Sequence, residues 1–414
     1  MFLDLLLYNV FDNGSISLND HSVNLASTHG VQVRKQSLHE RFNEQSVAFI
    51  RTLLEYQINT QISQKFDVPI LSNFSSVKVK DSTRFQVPSV LKEAYPGSGG
   101  AGSEAGVHIQ FEFDLCSGKV SDLHVTDALY QDTTDARDTA DQIEEGSLLL
   151  RDLGYFSTDV LEKIEQAKAY YISRLKPKIK VYQLKEGNYK DLDFKEIHLQ
   201  MKRCGMLYQE LDVYIGAKKK VPVRLLIESM PQSEVAKRLA KVGREAHKKG
   251  RMVSDEYKTY AALNLFITNV PEAWLPTDQI RSLYRLRWQI ELRFKTWKSY
   301  CRVHANKKMN IHRFRTYLYA CLLFIFINWE IANNLLSIVW QLTNKLISIN
   351  KCFKAIINTY SKLRDAIYHP DKLKSYIEIL YDLSDTQLLT ERRKNHLSQE
   401  EIFMLSLENK QLIC

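Results

Sequence analysis

One twenty-residue stretch, RSLYRLRWQIELRFKTWKSY at 281–300, constrains this chain most. Placed on a helix at about 100° per residue, Tyr284, Arg287, Glu291 and Lys298 share a wedge of roughly 60°. Leu283, Leu286, Ile290, Phe294 and Trp297 form an apolar stripe beside it. Such a helix docks on a core by its stripe and carries its wedge at the rim. The charge around it is lopsided. Arg281 to Arg315 holds eleven Lys or Arg and one acid, Glu291, a net +10 that exceeds the +9 of all 414 residues. A single carboxylate among so many cations has two readings. It pairs with Arg287 four residues earlier, a surface pair worth a few tenths of a kcal/mol. Alternatively, it holds a metal ion while its neighbours hold phosphates.

The basic balance, with a pI near 9.0, suits a polyanionic partner, nucleic acid before membrane. With 44% hydrophobic and 11% aromatic residues the chain is a folded protein rather than a basic tail. Its six cysteines are scattered with no C-x-x-C pair, which argues against a zinc site or a disulfide scaffold and fits a reducing cytoplasm. The opening MFLDLLLYNVFDNG lacks a basic n-region and a small-residue cleavage site, so it is not read as a signal peptide. The longest apolar run, Tyr317 to Ile327, is eleven residues, short of the about 20 a spanning helix needs, and no membrane partner is expected.

In chain order, residues 15–42 have a helix–turn–helix rhythm with Gly30 at the turn, and Arg34, Lys35, Gln36 and Ser37 open the second helix toward DNA. An ordinary helical hairpin fits the same pattern. Residues 43–66 read as one helix. In VKVKDST, Val77, Val79 and Asp81 alternate with Lys78 and Lys80, putting Asp81 on the inward face of a strand end, or else in a capping turn. A loop rich in Gly and Ser at 97–106 has no phosphate-loop pattern. VHIQFEFDL, a turn at Ser117 and Gly118, and KVSDLHVTDA make a hairpin. Residues 131–145 read as a polar helix, Leu148 to Leu150 as a short buried strand delivering Asp152 to its end, and 157–174 as a helix. From 176 to 261, KIKVYQL, KEIHLQ, ELDVYIG and KKVPVRLLIES are strand-like, followed by a basic helix. LNLFITNVP is a core strand, Pro276 opens the signature helix, and 303–414 is mainly helical.

Tyr284, two residues, Arg287, three residues, Glu291, six residues, Lys298 is a Y-R-E-K spacing. Together with DST at 81–83 and RDLGYF at 151–156, it resembles the signature of bacterial insertion-sequence transposases of the DDE type, in the insertion-sequence-four family. The resemblance spans residues 15 to 315 and shows no departure at the motif positions. It implies an α/β fold: a ribonuclease H-like catalytic core interrupted by a mostly β insertion, with helical N- and C-terminal regions. The expected division is a DNA-binding region at 1–70, core at 71–175, basic β-rich insertion at 176–261, core with the signature helix at 262–335, and a helical region at 336–414.

It further implies that Asp81, Asp152 and Glu291 are catalytic and bind two Mg²⁺ (or Mn²⁺) ions, Asp81 bridging them, Asp152 holding one and Glu291 the other. Tyr284, Arg287, Lys298 and Lys295 would contact DNA near the cut, with Arg34 and Lys35 doing so in the N-terminal region. On one continuous helix Lys298 stands about 20 Å from Tyr284, so they would touch different phosphates. The implied partners are double-stranded DNA, as terminal inverted repeats and target, and a second copy of the chain, a homodimer on DNA in the bacterial cytoplasm at the nucleoid. Two other readings compete: a nuclease on the same core that never joins ends, and a domesticated DNA-binding protein that has lost chemistry.

Overall fold

The computed structural model describes residues 2–8, 16–63, 67–99, 103–248, 250, 252–391 and 399–403. Among them are ten strands: β1 Val77–Gln86, β2 Gly106–Asp114, β3 Val120–Asp127, β4 Leu148–Arg151, β5 Tyr170–Arg174, β6 Val181–Lys185, β7 Asn188–Asp191, β8 Tyr208–Ile215, β9 Val221–Ser229 and β10 Leu263–Thr268. The chain divides into two units. One comprises Met1–Asp67, Asp81–Gln131 and Trp288–Glu401, the other Val68–Lys80, Asp132–Arg287 and Ile402–Cys414.

In the second unit the strand order runs β1, β4, β5, β10, β9, β8, β6, β7. β4 is parallel to both β1 and β5, while β10 lies antiparallel to β5 and β9. Residues 181–229 therefore extend the sheet through β9, β8, β6 and β7. A continuous apolar core including Leu149, Tyr171, Ile197, Met201, Leu225 and Ile267 covers it.

Two expectations fail here. Residues 157–174 are not one helix: the Thr158–Gln166 helix stops, Lys168 turns left-handed at φ 54°, and Tyr170–Arg174 continues as β5. Its Tyr-Tyr-Ile run suits a buried strand beside β4. KEIHLQ is no strand but part of the Phe194–Arg203 helix. The Asp193 carboxylate caps it by accepting the Lys195 and Glu196 N–H groups, and Phe194, Ile197 and Met201 are buried along one side. The helix expected over 131–145 is also shorter, an Asp132–Asp138 helix followed by a 3₁₀ turn.

β1 corrects the face assignment. Alternation predicts Lys78 and Lys80 outward, yet Val77 through Lys80 are all buried, because this strand is covered on both faces. Lys78 pairs with Glu144 at 3.0 Å and Lys80 with Asp135 at 2.6 Å. Lys80 also donates to Thr139 Oγ1 at 3.4 Å.

In the first unit the order is β3, β2, β1, with β2 and β3 an antiparallel hairpin. Ser17 and Asp20 form a capping box on the Leu18–His29 helix, Gly30 ends it at φ 64°, and the Lys35–Glu40 helix follows, with Arg34, Lys35, Gln36 and Ser37 exposed. The Glu44–Asn59 helix is shorter than the expected 43–66, of which 64–66 lie outside the described residues, as do 100–102 of the Gly-rich loop. That helix is bonded to the 33-residue Ile311–Thr343 helix through Ser46 Oγ and Thr316 Oγ1 (3.0 Å) and through Gln57 and Glu330.

The Ile311–Thr343 helix runs far past the eleven-residue apolar run. It is long and apolar enough to cross a membrane by length and composition, but 67% of its most apolar window is buried inside the protein, as in a core helix. Its polar residues do not interrupt it. Asn328, Asn333 and Asn334 donate to carbonyls four residues back, and Glu330 accepts the Ile62 N–H.

Candidate active site

The signature stretch is two helices rather than one. Thr277–Arg285 ends, Trp288–Ser299 begins, and Leu286 and Arg287 form a tight turn in which their N–H groups bond carbonyls three residues back. Tyr284 therefore does not share one continuous helix with Glu291 and Lys298. The apolar stripe holds: Leu283, Leu286, Ile290, Phe294 and Trp297 are all buried. The two halves meet different carboxylate strands.

In the second unit, Tyr284 is buried with its ring against Phe266 (5.4 Å) and its hydroxyl donating to the Arg151 carbonyl at 3.4 Å. That carbonyl ends β4, one residue before Asp152. Burial pushes the Tyr284 phenol up to about 12, so it stays a protonated donor. Arg287 Nε stands 3.8 Å from Asp152 Oδ1, and Asp152 is half-exposed as the first residue of a 3₁₀ turn. The Thr277 helix is itself tied down. Arg224 on β9 holds the Glu210 carboxylate through two N–H groups (2.6 and 3.0 Å) and donates to the Val270 and Leu275 carbonyls, while Glu210 accepts from the Thr277 hydroxyl. Arg281 pairs with buried Glu228. Arg224, Glu210 and Glu228 escaped the sequence reading; each lies in a strand-like segment with no motif around it.

In the first unit, the Trp288–Ser299 helix docks by aromatic packing. Trp297 lies 4.9 Å from Phe111 of β2, 5.2 Å from Phe294 and 5.8 Å from Phe326 between ring centroids. This leaves Glu291 and Lys295 exposed in solvent. Lys298 Nζ donates to the Arg84 carbonyl of β1 at 3.1 Å, three residues beyond Asp81, and burial pulls its pKa down. Asp81 is half-buried, and its Oδ1 accepts the Ser82 N–H at 2.8 Å. Tyr284 and Arg287 thus join the strand that delivers Asp152, and Lys298 joins the strand that carries Asp81.

By donor chemistry the three carboxylates suit a hard divalent cation, which takes oxygen ligands. Asp81 and Glu291 belong to one unit and Asp152 to the other, and among the described residues no group of three His, Cys, Asp or Glu side chains that could hold a metal ion is found.

Known proteins supply the family. The model of the transposase DDE domain matches residues 72–327. The chain is 31% identical over 382 residues to the transposase for insertion sequence element IS231F of Bacillus thuringiensis subsp. israelensis, covering 89% of this chain and 79% of that one. To the IS231B transposase of Bacillus thuringiensis subsp. berliner it is 30% identical over 389 residues (90% and 81%), and to that of IS1151 of Clostridium perfringens 28% over 384 (88% and 81%). The mixed α/β sheet is the ribonuclease H-like core that such a domain implies. With the domain model matched over more than half its length, the chain belongs to the DDE-domain transposases.

Proposed function

We propose that this transposase cuts DNA at the ends of its own insertion sequence and joins the freed 3′-hydroxyl to a target duplex, with Asp81, Asp152 and Glu291 as the carboxylates that serve the reacting phosphate. The observation that carries this assignment is the end of β4. There Tyr284 bonds the Arg151 carbonyl and Arg287 stands beside Asp152, so two separate motif words meet at one place. DDE transposases work with divalent metal ions. When bound, such ions supply an activated nucleophile and stabilise charge on the phosphate, and we assign Mg²⁺ or Mn²⁺ here.

The protein's own side chains do the positioning. Arg287 offers a planar fork of donors to non-bridging phosphate oxygens, which an ammonium cannot match. Tyr284 fixes the turn from which Arg287 projects. Lys295 and Lys298 carry positive charge along the helix that presents Glu291, and Arg34 and Lys35 contact the DNA backbone from the Lys35–Glu40 helix. No covalent protein nucleophile is needed. Joining two element ends calls for two copies on the DNA, and the protein acts in the bacterial cytoplasm, at the nucleoid.

The test uses purified protein, Mg²⁺ or Mn²⁺ and a labelled duplex spanning the element boundary. Wild type yields metal-dependent cuts and joined products, whereas Glu291→Gln and Asp152→Asn bind the duplex and do not cut it. Cleavage by either variant overturns the carboxylate assignment. Cuts without joined products identify a nuclease, and binding without cuts a DNA-binding protein that has lost its chemistry.

A further inference from the structure

We propose that the Gln232–Lys248 helix in the insertion is a track for the phosphates of duplex DNA, independent of sequence. The proposal rests on the DNA-transacting reading above and deepens it. At about 100° per residue, Lys237, Lys241, Arg244 and Lys248 fall within a wedge of roughly 60°. The opposite side carries Val235, Leu239, Val242 and Ala246, all half-buried, while Lys237, Lys241, Arg244 and Lys248 are exposed. The helix therefore sits on the protein by one side and turns four cations to solvent on the other.

Its remaining arginine is spent on the protein. Arg238 Nη1 donates to the Ala261 and Leu263 carbonyls at 3.3 Å each, and Nη2 donates to Asn264 Oδ1 at 2.6 Å. Asn264 Nδ2 in turn donates to Glu228 Oε2 at 2.6 Å, and Glu228 pairs with Arg281 on the Thr277–Arg285 helix. The basic side is thus held by a polar chain that runs through β10 and β9 to the helix bearing Tyr284. Two of the four cations already have partners: Arg244 Nε donates to the Ala240 carbonyl of its own helix at 3.3 Å, and Lys237 Nζ is 2.6 Å from Glu234. The Lys237–Glu234 pair is exposed on both sides and yields readily to a phosphate.

The dimensions suit a duplex. Lys237 to Lys248 spans about 16 Å along the helix axis, long enough to meet several phosphates of a duplex. Three of the four cations are lysines, point charges that suit phosphate oxygens; Arg244 alone of the four carries a planar fork that could also read a guanine edge.

The experiment measures affinity against salt for the full chain on two duplexes, one from the element end and one of unrelated sequence. Each Lys– or Arg–phosphate contact adds about 0.9 to the slope of log affinity on log salt. The variant K237Q/K241Q/R244Q/K248Q keeps good helix formers at all four positions. It is expected to lose about 3.6 from the slope on both duplexes, so the affinity ratio between 50 and 200 mM salt shrinks by about 150-fold. R244K keeps its charge and is expected to keep the slope. An unchanged slope in the quadruple variant, at an unchanged unfolding midpoint, overturns the proposal. A loss of affinity confined to the element-end duplex overturns its sequence independence, and a lost slope in R244K overturns its point-charge character. The cleavage assay with Glu291→Gln is independent: that variant keeps the wild-type slope, so failure of the carboxylate assignment and failure of the phosphate track are read separately.

Discussion

Lys80 and Asp135 offer the sharpest test of how the strand beneath the first motif is held. Lys80 Nζ stands 2.6 Å from Asp135 Oδ2, with side-chain exposures of 1% and 0%. Truncating either partner leaves the other charge in an interior that water does not reach, which costs about 3–5 kcal/mol. Against a total stability of about 5–15 kcal/mol, either single change removes a fifth or more. Replacing both charges by apolar groups of similar reach removes the desolvation cost of the pair together with its attraction, and such exchanges are close to neutral. Thr139 tolerates the exchange because its hydroxyl still donates to the Asp135 carbonyl at 2.8 Å. Lys80→Met and Asp135→Leu are therefore each strongly destabilising, while the double variant regains most of the loss. The assay is urea unfolding followed by far-UV circular dichroism on wild type, both singles and the double. Singles that cost under about 1 kcal/mol, or a double that costs the sum of the singles, refute the reasoning.

Other consequences are as direct. Trp297→Ala opens a cavity between Phe111, Phe294 and Phe326 and is expected to cost about 3–5 kcal/mol in urea unfolding; because that helix also carries Glu291 and Lys298, cleavage falls with it. His21 is buried with its Nε2 at 2.9 Å from the Tyr317 hydroxyl, and burial, aided by the Arg313 charge, pulls it down from 6.5 to about 4. Its folded pKa lies below its unfolded one, so stability is full above about pH 6.5 and drains as pH falls toward 4, by up to about 3 kcal/mol. His21→Phe flattens the urea midpoint between pH 7.5 and pH 5; parallel losses in variant and wild type refute the assignment.

Local pattern carried part of the fold and tertiary context the rest. The apolar stripe of 281–300 was legible because five residues at helical spacing need a core, and all five are buried. The break at Leu286 and Arg287 was not, since neither proline nor glycine marks it and both residues keep near-helical geometry through three-residue hydrogen bonds. The Phe194–Arg203 helix did leave a signal, Asp193 three residues before Glu196 with apolar residues at 194, 197 and 201, which the strand-like reading of KEIHLQ overlooked. Lys78 and Lys80 were assigned to solvent because alternation is a local rule. Their partners Glu144 and Asp135 lie more than fifty residues downstream, where no periodicity points back to them.

The same strand shows why alternation does not describe the place of Asp81. Burial along β1 does not alternate at its start; Val77, Lys78, Val79 and Lys80 are all covered, and accessibility begins at Asp81 and Ser82. β4 repeats the arrangement, with Leu148 to Arg151 buried and Asp152 half-exposed immediately after. Each aspartate is the first accessible residue beyond a buried run, so its backbone is held by sheet and core while its oxygens reach solvent. A carboxylate asked to hold an ion against a phosphate needs both, a rigid base and an open face. Glu291 meets the same requirement from a helix, exposed in solvent one residue after buried Ile290. What marks the two aspartates physically is the point at which a buried strand comes into reach of water, whereas Glu291 lies on a helix already exposed at Trp288.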